Sequence, residues 1–185
     1  MSASDPLFIS CLSIAVVMLL MLAEFRMSRR NERNLLRLGA FEPPDDVYST
    51  LRWAYPGVFI AMALEGALTG RRPGIITLAG LIVFCLAKAM KLWAVRSLGS
   101  RWTFRVLVPP DVPLVVRGPY AFLRHPNYVA VVGEMVGMAL LVGAPISGPI
   151  GTLLFSALLR RRIQVENLAL RTSVAAASSR AQSSR

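Results

Sequence analysis

The sequence predicts an all-α integral membrane protein with about five transmembrane helices, and three observations carry that prediction. Hydrophobic residues make up 55% of the 185, charged residues only 17%, and mean hydropathy is +0.54, outside the range of ordinary soluble domains. The apolar residues fall in runs of near-membrane length, separated by clusters of Pro, Gly and Arg. The 21 Lys and Arg are also unevenly placed, with six in 24–52, five in 96–126 and six after 159. A net charge of +11 would otherwise suggest nucleic acid, but basic polar segments on the inner side of a membrane account for the excess. No nucleic-acid partner is expected.

Leu7 to Ala23 carries no charge and is long enough to span most of a bilayer core of about 30 Å, so it is the first span. Asp5 is the only charge before it, and neither a basic leader nor a clean cleavage site marks it as a signal peptide, so it reads as a retained helix. Residues 24–52 hold Arg26, Arg29, Arg30, Arg33, Arg37 and Arg52, broken by Pro43-Pro44-Asp45-Asp46, and read as a solvent-facing loop with amphipathic pieces. A second span, Ala54 to Thr69, and a third, Gly74 to Val95, are joined by the tight turn Gly70-Arg71-Arg72-Pro73-Gly74. Segment 96–126 is polar and basic; Pro109, Pro110 and Pro113 rule out a continuous helix, and Phe104 to Val108 is β-like. Tyr128 to Gly143 and Ile146 to Leu159 form a last apolar hairpin, closed by Arg160-Arg161-Arg162. The Ser/Ala/Arg stretch after Thr172 reads as disordered. The organisation is thus 1–95 membrane helices and loop, 96–170 site-bearing region, and 171–185 tail. Five passes with the N-terminus outside leave only Arg71 and Arg72 on the outer side.

Ionisable groups inside spans cost about 2.5–3.5 kcal/mol each on insertion scales and need partners. Lys88 and Glu134 lie at matching depths and are expected to pair, whereas Glu65 and Lys91 lie nearer opposite faces, where snorkelling suffices. Gly66-x-x-x-Gly70 and Gly133-x-x-x-Gly137 would allow close helix approach, including the interface of a homodimer. Cys11 and Cys85 sit in separate apolar runs and suggest neither a disulfide nor a metal site.

The chemistry concentrates in Arg117-Gly118-Pro119-Tyr120-Ala121-Phe122-Leu123-Arg124-His125-Pro126-Asn127-Tyr128, which contains the only histidine. Pro126 suits the first turn of a helix, so Arg124 and His125 belong at a helix entrance where backbone N–H groups lack intrahelical partners. A second cluster, Arg162 to Asn167, follows the hairpin and returns to the same membrane face, with Arg162 and Glu166 on one side of a helix at i and i+4. There is no second His, no Cys cluster and no Gly-rich phosphate loop after a strand, so neither a metal nor a Rossmann site is expected.

The Arg-His-Pro-Asn-Tyr run closely resembles the isoprenylcysteine carboxyl methyltransferase family, integral-membrane enzymes that use S-adenosylmethionine, over about residues 96–170. The resemblance implies a cytoplasm-facing cofactor pocket in the C-terminal half. Pro113, Leu114 and Val115 would line it with backbone, Tyr120 would pack on the cofactor, and His125, Pro126, Asn127 and Tyr128 would contact it. Glu166 matches the family's cofactor-binding glutamate and Arg162 its substrate-side arginine. Two departures stand out: Asn167 replaces a second glutamate, and a Ser/Ala/Arg tail stands in place of the family's aromatic, charged C-terminal helix. Leu98-Gly99-Ser100-Arg101-Trp102-Thr103 looks like bacterial members, which implies a bacterial cytoplasmic membrane and a lipophilic acceptor, either isoprenylcysteine carboxylate-like or a long-chain phenol or pyrone. Two other readings compete. Membrane sterol reductases share a related R-H-x-N-Y run and bind NADPH, whose extra phosphate Arg160 and Arg161 would hold; a non-catalytic scaffold in contact with membrane lipids is the other.

Overall fold

A computed structural model describes residues 5–44, 47–110 and 115–183, with the backbone alone described for 173–183. Five helices run α1 Pro6–Arg37, α2 Tyr48–Thr69, α3 Ile75–Leu98, α4 Pro126–Val142 and α5 Ser147–Ser183, with 3-10 turns at Gly99–Arg101 and Gly118–Ala121. The Asp5 carboxylate accepts the Leu7 N–H at 3.0 Å and Pro6 opens the first turn of α1. Gly70 (φ 58°) and Gly143 (φ 71°) end α2 and α4 in the left-handed conformation that glycine adopts without strain.

Two helices are longer than their apolar runs. The stretch Glu24 to Arg37, expected as a loop, continues α1, because its Arg, Glu, Leu and Met are good helix formers and no Gly or Pro interrupts them before Gly39, whose positive φ (80°) follows the helix end. The tail from Thr172, expected to be disordered, likewise continues α5 to Ser183: no breaker follows Gly151, and Ala, Arg and Gln propagate a helix already nucleated upstream. The β-like stretch reduces to one antiparallel bridge, in which Phe41 and Val108 exchange N–H to O bonds of 3.1 and 3.0 Å.

Helices α3 and α4 pack most closely, and glycine permits it. A Cβ on Gly80 would lie 2.3 Å from the Leu141 nitrogen, and one on Gly137 2.5 Å from the Phe84 nitrogen. Gly66 touches Val142 and Gly133 touches Ala87 in the same way, so three of the four glycines with dimer-like spacing are used within the chain. Phe59, Met62, Met135 and Met138 form the fully buried centre. Outside it, Leu19, Leu68, Ile75, Leu86, Leu153 and Leu154 are exposed, giving the bundle an apolar exterior. By length and composition α1 and α3 can cross a membrane; α4 is apolar but shorter.

Four charged side chains of α1, α3 and α4 form one cluster. Lys88 Nζ lies 3.0 Å from Glu134, the expected pair, and 2.8 Å from Glu24; Lys91 Nζ lies 2.7 Å from Glu24 and 3.4 Å from Glu134. Lys91 is therefore not a snorkelling residue: it is 2% exposed and held by two carboxylates. Tyr55 Oη donates to Glu134 Oε2 at 2.5 Å. Glu65 sits at the exposed end of the bundle and is bonded there. Its carboxylate accepts the N–H groups of Ile146 and Ser147 at 2.9 and 2.7 Å and the Ser147 hydroxyl at 2.5 Å, tying α2 to the start of α5.

Candidate functional site

The entrance of α4 is built as its sequence dictates: Pro126 occupies the first helical position and His125 the N-cap, with φ −132° and ψ 61°. Beside it, α5 presents Arg162, Glu166 and Asn167 within one and a half turns. Tyr128 Oη donates to Glu166 Oε2 at 2.6 Å and accepts Arg162 Nε–H at 2.9 Å. His125 Nε2 donates to Asn167 Oδ1 at 3.2 Å, its Nδ1 lies 4.0 Å from Glu166 Oε2, and its ring stacks on Tyr128 with centroids 5.5 Å apart. The two sequence clusters thus form one network. Asn167 serves as the partner of His125.

Segment 96–108 roofs this network, and α1 holds the roof. Asn31 Nδ2 donates to the Trp102 carbonyl at 2.8 Å, Ser28 Oγ accepts the Phe104 N–H at 2.7 Å, and Ser28 donates to Glu32 at 2.7 Å. The Phe104 carbonyl in turn accepts Arg162 Nη2–H. Trp102 Nε1–H reaches Asn127 Oδ1 at 3.3 Å, and Arg105 pairs with Glu42 at 2.9 Å while its buried Nε has no hydrogen-bond partner among the described residues. Sequence reasoning missed Ser28, Asn31 and Arg105. The helical spacing of Ser28, Asn31, Glu32 and Leu35, a buried stripe, was the available signal.

Two cavities meet at this network. One, of about 120 Å³, is the more polar of the two, bounded by Tyr120, His125, Glu166, Trp102, Arg101 and Arg105 together with aliphatic residues such as Leu98, Val106 and Leu170. The other, of about 340 Å³, lies between α1, α2, α4 and α5 and is walled by apolar residues such as Met18, Leu22, Phe25, Leu51, Val131 and Phe155. Thr103, Asn127, Tyr128 and Arg162 line both. Arg162 is 5% exposed and stands at the partition. Burial, helped by the negative charge of Glu166, pushes the Tyr120 phenol well above its ordinary range and keeps it neutral.

Of the residues singled out from sequence, Tyr120, His125, Asn127, Tyr128, Arg162 and Glu166 converge here. Pro126 is buried beneath and shapes the helix entrance without lining either cavity. Val115 is half-buried and lines neither, and Pro113 and Leu114 lie outside the described residues. Arg160 and Arg161, which a nucleotide phosphate would require, are exposed on α5 and line neither cavity.

The profile of the isoprenylcysteine carboxyl methyltransferase (ICMT) family matches residues 79–172, which include both clusters and the roof. The chain is 31% identical to the uncharacterized protein YpbQ of Bacillus subtilis (strain 168) over 159 residues, covering 86% of this chain and 95% of that one. It is 23% identical to an uncharacterized protein of Haemophilus influenzae over 165 residues, 89% of this chain and 95% of the other. No solved structure matches it significantly.

Proposed function

We infer that this chain, which belongs to the isoprenylcysteine carboxyl methyltransferase family, is a multi-pass membrane enzyme that transfers a methyl group from S-adenosylmethionine to an oxygen of a lipophilic acceptor. The observation that carries the reading is the meeting of a polar and an apolar cavity at Arg162, Tyr128, Asn127 and Thr103. A water-soluble, charged donor and a lipid-soluble acceptor need opposite surroundings and a common wall, and this arrangement provides them.

The polar cavity suits the cofactor. Glu166 can accept hydrogen bonds from an ammonium or from ribose hydroxyls, the faces of Tyr120, Tyr128 and Trp102 suit a sulfonium cation, and Arg101 and Arg105 suit a carboxylate. His125, fixed by Asn167, and Asn127, fixed by Trp102, complete the wall, while Pro126 sets the angle of α4. When bound, the cofactor supplies an electrophilic methyl group. Arg162 holds the acceptor oxygen in its ionised form through charge-assisted hydrogen bonds, so no strong base is needed. Tyr128 and Phe104 orient the guanidinium, and the roof above it excludes water. The five helices cross the membrane with the N-terminus outside and the site on the cytoplasmic side, in keeping with the charge distribution.

The test is to incubate membranes holding the full chain with S-adenosylmethionine labelled in its methyl group. Label should pass into the lipid extract with the wild type and be lost with Arg162→Ala. Label that enters protein alone, or equal transfer by both chains, overturns the reading.

A further inference from the structure

The apolar cavity contains more charge than its walls suggest. Among the described residues its ionisable lining consists of Arg52, Lys91, Arg162 and three tyrosines, with no carboxylate. Arg162 marks the shallow end. Lys91 marks the deep end, because its ammonium lies 5.4 Å from the Tyr55 ring, and that ring lies 5.2 Å from the Phe155 ring. Phe155 and Arg162 are seven residues apart on α5, about 10 Å at the helical rise per residue, which sets the length scale of the cavity between its Arg162 end and the end where Lys91 lies.

Keeping an ammonium at that depth is expensive, and the fold sets Glu24 and Glu134 against it. Lys88 shares both carboxylates but does not line the cavity, so the cluster has one cation facing its own helices and one facing the ligand space. An ammonium has three donors, and the two carboxylates account for two of them.

We propose that Lys91 is a specificity-determining residue that selects acceptors carrying a second oxygen, a hydroxyl or carbonyl, about 10 Å along the chain from the oxygen Arg162 holds. The acceptor class is then a two-headed lipophile rather than a plain hydrocarbon tail. This rests on the proposed function in one respect, that Arg162 marks the reacting end.

The test uses full-length protein in lipid nanodiscs, with stearate and a series of hydroxystearates that differ only in the position of the hydroxyl. One position should bind about tenfold tighter than stearate, the worth of one hydrogen bond to a charged group. That advantage should vanish in Lys91→Met and persist in Lys88→Met. A flat series, no stearate binding, or the same preference in Lys91→Met overturns the proposal. If Lys91→Met does not fold, Lys91→Arg should shift the preferred position, and an unshifted optimum counts equally against it. Titration with S-adenosylmethionine is read separately: a protein that shows the positional preference but binds no cofactor keeps this assignment and loses the methyltransferase reading.

Discussion

Two ionic networks, which meet α4 at Tyr128 and at Glu134, use the same side-chain chemistry for different ends. In the buried cluster, Glu24, Glu134, Lys88 and Lys91 balance two charges against two, with every cation within 3.4 Å of both carboxylates. In the site, Tyr128 bonds to both Arg162 and Glu166, and all three line the smaller cavity. Glu166 keeps 28% of its side-chain surface open, against 1% for Glu134. A network whose charges answer one another holds helices together, whereas one whose charges are bridged by a neutral hydroxyl at a cavity wall is, on the proposed function, arranged for a ligand.

This contrast predicts opposite phenotypes. Glu134→Leu leaves Lys88 and Lys91 with only Glu24 between them, and thermal unfolding in detergent should show a loss of about 3–5 kcal/mol. Arg162→Ala should cost less, about 1–3 kcal/mol for the bonds it loses to Tyr128 and Phe104, and lower turnover by roughly 10²–10³-fold, with cofactor affinity spared. A large stability loss in that variant and none in Glu134→Leu would erase the distinction. Packing gives a smaller and independent reference: Gly137→Ala forces a Cβ to within 2.5 Å of the Phe84 nitrogen, and the α3 to α4 contact should lose about 1–3 kcal/mol in the same unfolding assay. Smallest is Glu65→Ala, which uncaps α5 at the end of the bundle far from both networks. It should cost about 1 kcal/mol and leave turnover unchanged.

What could be read from sequence follows from how local each cause is. The entrance of α4 was legible because proline fixes φ wherever it stands, and the Lys88–Glu134 pair because an ionisable group within an apolar run demands a partner. Glu24 and Lys91 joined the same cluster unannounced: each sits where an apolar run gives way to arginines or polar residues, so a loop or a snorkelling reading was equally consistent with their neighbours. The length of α5 was hidden because Ser, Ala and Arg compose helices and coils alike, and only the helix running into them decides between the two. The clamp of Ser28 and Asn31 on the roof joins residues about seventy positions apart, and no local pattern encodes which backbone groups they will meet. The convergence of His125 with Asn167 was legible only as a shared membrane face, not as a hydrogen bond.

The central claim is that the polar cavity beside Glu166 and His125 binds S-adenosylmethionine and shares the Arg162 wall with the acceptor. Calorimetric titration of detergent-purified protein with S-adenosylmethionine, S-adenosylhomocysteine and NADPH tests it most directly, with Glu166→Ala and Arg162→Ala beside the wild type. The account predicts saturable binding of both sulfur compounds, weakened roughly 10- to 100-fold by Glu166→Ala and little changed by Arg162→Ala. Binding of NADPH alone, or sulfur-cofactor binding that depends on Arg162 and ignores Glu166, would contradict it.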